Sequence, residues 1–225
     1  MFNPVERENI IFDVLQELVR LKLHFILVGG YAVSAYKHRF SVDADLVIKK
    51  EDARKFEEVL RQKGFIKTIA KALDHLYASE FIRYETQEKP SASIDLLLDG
   101  LGSRTTKASF SIEKLQQYAR PRIIKGLERE ITALVPDKEV LIALKIHSGR
   151  LTDIRDIAAL CNNLKVEIIK AFLGVGNKKI ITENIQKVLQ SLEQKEFIDS
   201  FKGVFQEKKY SIDIAEIRRL KELME

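Results

Sequence analysis

The stretch Leu27-Val-Gly-Gly-Tyr-Ala-Val-Ser-Ala-Tyr-Lys-His-Arg-Phe-Ser-Val-Asp-Ala-Asp-Leu-Val-Ile48 decides the fold. An apolar run from His24 to Val28 has strand length and stops at Gly29-Gly30. Small and apolar residues from Tyr31 to Tyr36 predict a helix straight after the glycines, and Ala44 to Ile48 predicts a second strand. Residues two apart on a strand share a face, so Asp43 and Asp45 project together while Val42, Ala44 and Leu46 turn to a core. Two such carboxylates repel unless something positive lies between them, and an oxygen-seeking divalent cation, Mg²⁺ or Mn²⁺, is the expected occupant. The glycines supply the complement. Without side chains the backbone comes close to a phosphate, and the N–H groups opening the next helix point at it. A metal on two carboxylates beside a phosphate cradle is machinery for phosphoryl or nucleotidyl transfer.

Upstream, Asn3 can cap a helix with Pro4 at its first position and Glu6 where a capping box places a carboxylate. Ile10, Ile11, Val14, Leu15, Leu18 and Leu21 then recur as a helical stripe. Downstream, Asp52 to Lys63 predicts an amphipathic helix ended by Gly64 in the left-handed conformation. Phe65 to Ala70, Leu76 to Tyr84 and Ser93 to Asp99 predict strands, the second as an antiparallel hairpin partner, and strand character ends at Ile131 to Val135. After Pro136 the pattern is helical: Asp137 to His147, Thr152 to Cys161, then three more amphipathic stretches broken at Gly174 and Gly176. The expected plan is an α/β (α+β) fold, a mixed β-sheet with flanking helices over residues 1–135, followed by a helical domain over 136–225.

Composition narrows the function. Of 225 residues, 45% are hydrophobic and 32% charged, which suits a globular protein rather than a disordered one. Charges interrupt every apolar segment and the N-terminus does not read as a signal peptide, so neither a membrane nor a secreted protein is expected. The lone Cys161 excludes an internal disulfide and a cysteine-cluster zinc site, fits a cytoplasmic location, and reads as core. Four scattered histidines leave little for a His-based metal centre. A net charge of +5 tolerates a polyanionic partner without requiring one.

Gly29-Gly30, a gap of twelve residues, then Asp43-Ala44-Asp45 resembles the signature of the DNA polymerase β-like nucleotidyltransferase superfamily. The Arg39-Phe-Ser-Val lead into Asp43 is similar to the AbiEii-type and minimal nucleotidyltransferase branch. The resemblance implies a third carboxylate on a later adjacent strand, matched by Asp95, with Asp99 in reserve. A second block, Asp137 to Leu160, resembles the helix pair that follows the catalytic sheet in AbiEii-type enzymes, with Lys145, Arg150, Asp153 and Asp156 in the family's order. On their residues alone, those four are equally a salt-bridged helix hairpin. The resemblance spans about residues 23–160; the last 60 or so match nothing nameable.

What the resemblance implies is transfer of a nucleoside monophosphate from an NTP to an acceptor hydroxyl, with pyrophosphate released. Asp43, Asp45 and Asp95 would be catalytic and hold Mg²⁺ or Mn²⁺; Gly29, Gly30, Lys145, Arg150 and Asp153 would bind the nucleotide. The acceptor could be a tRNA end or a protein side chain, and the choice among ATP, GTP, CTP and UTP is open. Three readings compete: an active enzyme acting on tRNA ends or on a protein side chain, as a toxin of the AbiEii type with an antitoxin partner; a nucleotide- or RNA-binding relative in which catalysis is lost; or a regulatory partner such as the antitoxin of a minimal nucleotidyltransferase pair. The amphipathic C-terminal helices could support a homodimer.

Overall fold

The computed structural model describes residues 4–206 and 208–224, and the Asn3 cap lies outside them. The described chain packs as two units. One comprises the chain up to Gly102 together with Ser109–Pro136; the other comprises Ser103–Ala108 together with the chain from Asp137 on.

The first unit runs α1 (Pro4–Arg20), β1 (Ile26–Val28), α2 (Gly29–Ser34), β2 (Asp43–Ile48), α3 (Ala53–Gln62), β3 (Phe65–Ala72), β4 (Glu80–Thr86) and β5 (Ser93–Leu98). It continues with β6 (Gly100–Gly102), β7 (Ser109–Ser111), α4 (Ile112–Gln117), β8 (Ala119–Lys125) and β9 (Glu130–Pro136). Seven strands form a mixed sheet in the order β3-β4-β5-β2-β1-β9-β8, and β6 pairs with β7 apart from it. The central strand β2 runs parallel to β5 and antiparallel to β1.

Alternation gives this sheet two unlike faces. Ala44, Leu46 and Ile48 of β2, Ile94, Leu96 and Leu98 of β5, and Ile82 and Tyr84 of β4 are all buried. The opposite face of the same strands carries Asp43, Asp45, Asp95, Phe81, Arg83 and Glu85, of which all but Asp95 are half-buried. Helix α1 buries Ile11, Phe12, Val14, Leu15 and Leu18, whereas Leu21 lies past its end and is exposed. Gly64 follows α3 at φ +81°, the left-handed stop expected of it.

The sequence reading needs correction at three places. Val42 precedes β2 and is 57% exposed instead of facing the core. Leu76 to Ser79 form the connection between β3 and β4, not the start of a strand, and Leu76 projects into solvent. Strand β8, which no pattern marks, is an edge strand carrying Pro121, Arg120, Arg122 and Lys125, the residue types that edges tolerate.

The second unit is helical: α5 (Lys138–Ser148), α6 (Leu151–Leu160), α7 (Val166–Leu173), α8 (Lys178–Ser191), α9 (Lys195–Phe205) and α10 (Ile214–Arg218). Helix α5 is its axis, buried from Glu139 through His147, with α6, α7 and α8 packed on it. The polar groups at its end are satisfied. His147 meets Thr106 Oγ1 at 2.8 Å and Phe172 O at 3.1 Å, Ser103 Oγ donates to His147 O, and Asn184 Nδ2 donates to Ile146 O. These bonds tie Ser103–Ala108 to this unit. Cys161 is buried, and burial pushes its thiol well up, so it is inert packing. Among the described residues no helix is long and apolar enough to cross a membrane.

Lys145 is the one lysine in the core of this unit's axis, and its Nζ lies 3.0 Å from Asp153 Oδ1 and 2.6 Å from Asp156 Oδ2 on α6. Burial by itself would raise the Asp153 carboxyl; the charge of Lys145 and the bond from Arg150 more than offset it, leaving the group below the usual carboxylate range. A depressed folded pKa means stability that is present above the unfolded value of about 3.9 and is lost as pH falls through the folded one. Lys145→Met strands two buried carboxylates and is expected to cost about 3–5 kcal/mol at neutral pH. Because it also removes the main charge opposing burial, the acid limb of its stability curve should begin at higher pH than in the wild type. Denaturant unfolding over about pH 3 to 8, which brackets the reference carboxylate pKa values, measures both; an unshifted acid limb would contradict the role given to Lys145.

Candidate active site

The site on the first unit begins where β1 ends. Val28 is the register partner of Asp45, so the chain turns directly above that carboxylate. Gly29 makes the turn at φ +70°, and a Cβ there would sit 1.9 Å from Asp45 Oδ2. Only glycine allows both the conformation and the approach. Gly30 is similarly crowded: a Cβ would meet Ser41 Oγ at 2.4 Å and Arg39 Nη2 at 2.5 Å.

The segment between α2 and β2 is pinned from below. Ser34 Oγ donates to Arg39 O at 2.8 Å, and the Tyr31 hydroxyl donates to Ser41 O at 3.2 Å. Burial, with the carboxylates of Glu8 and Asp43 adding to it, keeps that hydroxyl protonated and so a donor. Ser41 Oγ in turn donates to Asp43 Oδ1 at 3.2 Å, which orients the first carboxylate of the pair.

Parallel pairing of β2 and β5 makes Asp45 and Asp95 register partners, and antiparallel pairing of β4 and β5 does the same for Arg83 and Asp95. Arg83 closes on Asp95 as a two-pronged pair, Nε to Oδ1 at 2.7 Å and Nη2 to Oδ2 at 2.6 Å. The same Nη2 lies 3.5 Å from Asp43 Oδ2. Asp95's hydrogen bonds hold the Arg83 guanidinium firmly protonated. Burial pushes the Asp95 carboxyl up, and the bonds and charge of Arg83 offset only part of that. Asp99, four residues on, is spent elsewhere: it takes the Lys50 N–H at 2.8 Å and the Ser79 hydroxyl at 2.9 Å.

The second unit carries the other four residues. Besides Lys145 with Asp153 and Asp156, Arg150 Nε donates to Asp153 Oδ2 at 2.9 Å, and the Arg150 side chain is 71% exposed. Asp153 and Asp156 thus receive Lys145 between them, with Arg150 at the rim.

Asp43, Asp45 and Asp95 are hard oxygen donors on adjacent strands, and a Cβ-free backbone overhangs one of them, so their chemistry fits Mg²⁺ or Mn²⁺. Among the described residues no three His, Cys, Asp or Glu side chains converge to hold a metal ion, and both oxygens of Asp95 are bonded to Arg83. Arg83 is the residue that sequence reasoning missed. Its one signal is the charged pair Arg83 and Glu85 alternating with the buried Ile82 and Tyr84.

The sequence model of the nucleotidyl transferase AbiEii toxin, of type IV toxin–antitoxin systems, matches residues 13–207. Comparison with curated proteins returns no match. Among solved structures, JHP933 from Helicobacter pylori is similar at a TM-score of 0.51 and 14% identity, over 100% of this chain and 92% of that one. ANT(2")-Ia in complex with adenylyl-2"-tobramycin is similar at 0.50 and 14%, over 80% of this chain and 97% of that one. The solution structure of the antibiotic-resistance factor ANT(2'')-Ia is similar at 0.50 and 16%, over 73% and 87%. These likenesses are of fold. The family match spans most of both units, and the chain belongs to the AbiEii nucleotidyltransferase toxin family.

Proposed function

We propose that the chain binds an NTP with Mg²⁺ (or Mn²⁺) at Asp43 and Asp45 and transfers its nucleoside monophosphate to an acceptor hydroxyl. The observation that carries this is the seating of Gly29 on Asp45 with Asp95 in register beside it. A bound divalent cation supplies Lewis-acid stabilisation of charge on the phosphoryl oxygens. The chain's own residues do the rest. Gly29 and Gly30 let the backbone approach the phosphates, and Ser41 keeps Asp43 turned into the site. Asp95, whose carboxyl is raised by burial, accepts the proton of the attacking hydroxyl as its oxygen bonds to the α-phosphorus. The bond from that phosphorus to the bridging oxygen breaks, and pyrophosphate leaves.

Lys145, Arg150 and Asp153 are assigned to the nucleotide on their order along the chain and on the exposure of Arg150. The acceptor is a tRNA end or a protein side chain, the setting is the cytoplasm, and the enzyme serves as the toxin opposite an antitoxin. Support for that setting is the family match and the +5 charge, which suits a polyanionic acceptor. One observation favours a second reading, an inactive nucleotide- or RNA-binding relative or antitoxin partner: Arg83 satisfies both oxygens of Asp95 without a metal.

Thermal unfolding with each NTP, with and without Mg²⁺, separates the two. Saturation at about 100 times Kd stabilises by about 2.7 kcal/mol, roughly 5–10 °C for a chain of this size. The shift should require Mg²⁺ and vanish in Asp43→Ala/Asp45→Ala, which keeps its own midpoint and loses transfer of label from the preferred NTP. Retained transfer in that variant would refute the placement of the site at Asp43 and Asp45, and absence of any shift in the wild type would favour the inactive reading.

Gly29→Ala tests the carrying observation directly. Its Cβ must displace the Asp45 carboxylate, so the Mg²⁺-dependent nucleotide shift should be lost. Gly64→Ala is the control, since it sits at φ +81° with open space around its Cβ. Each variant carries a left-handed strain of about 1–2 kcal/mol, but Gly64→Ala should keep the full nucleotide shift.

A further inference from the structure

The Arg83–Asp95 pair does more than balance charge. Both oxygens of Asp95 are taken by one planar fork, and the fork's terminal Nη2 reaches toward Asp43. The carboxylate is closed in at 3% exposure, whereas the arginine that holds it is 29% exposed. The partner within reach of solvent is therefore the arginine. Its guanidinium already lies 5.9 Å from the Phe81 ring centroid, an alternative resting place on the same strand face.

We propose that Arg83 is a latch on the metal site, competing with the divalent cation for Asp95 and released by the nucleotide's phosphates. The proposal rests on the metal reading of Asp43 and Asp45 given above. A cation between the carboxylates and a guanidinium on the same carboxylate repel one another, so the two occupy Asp95 in turn. A triphosphate reverses the balance, because phosphate oxygens accept the same two-pronged fork that Asp95 does. Cation alone is then held weakly, cation with nucleotide strongly, and Asp95 joins the ligand set only once substrate phosphates have arrived. The full complement of carboxylates is thereby coupled to the presence of substrate.

The test reads binding, not turnover. Mn²⁺ affinity of the full chain is measured by titration of its electron paramagnetic resonance signal, alone and with the α,β-methylene analogue of each NTP. Arg83→Gln should tighten Mn²⁺ alone by roughly tenfold, the scale of one charge-assisted hydrogen bond, and weaken the analogue measured at saturating Mn²⁺. A merely structural arginine would weaken both or neither, and either result overturns the proposal. In an Asp95→Asn background the gain from Arg83→Gln should disappear; a gain that persists also overturns it. Should Arg83→Gln not fold, the wild type answers through the Arg83 Nε–H resonance, which must move when Mg²⁺ and the analogue are added together. A resonance that stays in place refutes the latch. Failure of the metal reading looks different: Mn²⁺ binding would then be absent, or unchanged by Asp43→Ala/Asp45→Ala, and the latch falls with it.

Discussion

Three carboxylates on two neighbouring strands of one sheet repel one another, and the first unit is arranged around holding them there. Asp43 and Asp45 share a face because a strand alternates, and Asp95 joins them because β2 and β5 run parallel in register. The opposite face of those strands is buried and apolar, which fixes the register, since a slip of one residue would exchange carboxylates for Ala44, Leu46 and Leu96. The hydrophobic core thus enforces an electrostatic arrangement that the carboxylates alone would not adopt. Gly29 then matters for a steric reason: any larger residue would push Asp45 out of the cluster.

Much of this was legible because it obeys short periods. The pair Asp43 and Asp45 flanks a buried Ala44, the double glycine ends a strand, and the left-handed Gly64 ends α3. Local rules set these features, so local sequence reports them. Leu76 misled for the converse reason: an apolar residue need not be inside, and this one lies on an exposed connection. Strand β8 was invisible because an edge strand with Pro121 and three basic residues has the composition of a loop. The partnership of Arg83 with Asp95 depends on where the β4 strand starts relative to β5, a register that the polar sequence between them does not determine.

Two cation–carboxylate clusters in this chain show how burial decides what such a cluster can do. Lys145 is 9% exposed and Asp153 and Asp156 are each 2% exposed, so separating them would leave charges in a medium that cannot solvate them. That cluster joins α5 to α6, with the exposed Arg150 side chain at its rim.

The Arg83 cluster differs in one respect that changes its chemistry. Its carboxylate is as buried as those on α6, but its cation stands at the open face of the sheet, next to the half-buried Asp43 and Asp45. Water, a metal ion or a phosphate can replace either side of the pair one at a time, so the desolvation cost is never met in full. In the reading proposed above, a buried acid with a reachable partner suits a transfer site: it is paired with Arg83 at rest and accepts a cation or a proton when substrate displaces the arginine. The burial of Asp95 beside the exposure of Arg83 is what separates this cluster from the one on α5 and α6, whose lysine and carboxylates are all buried.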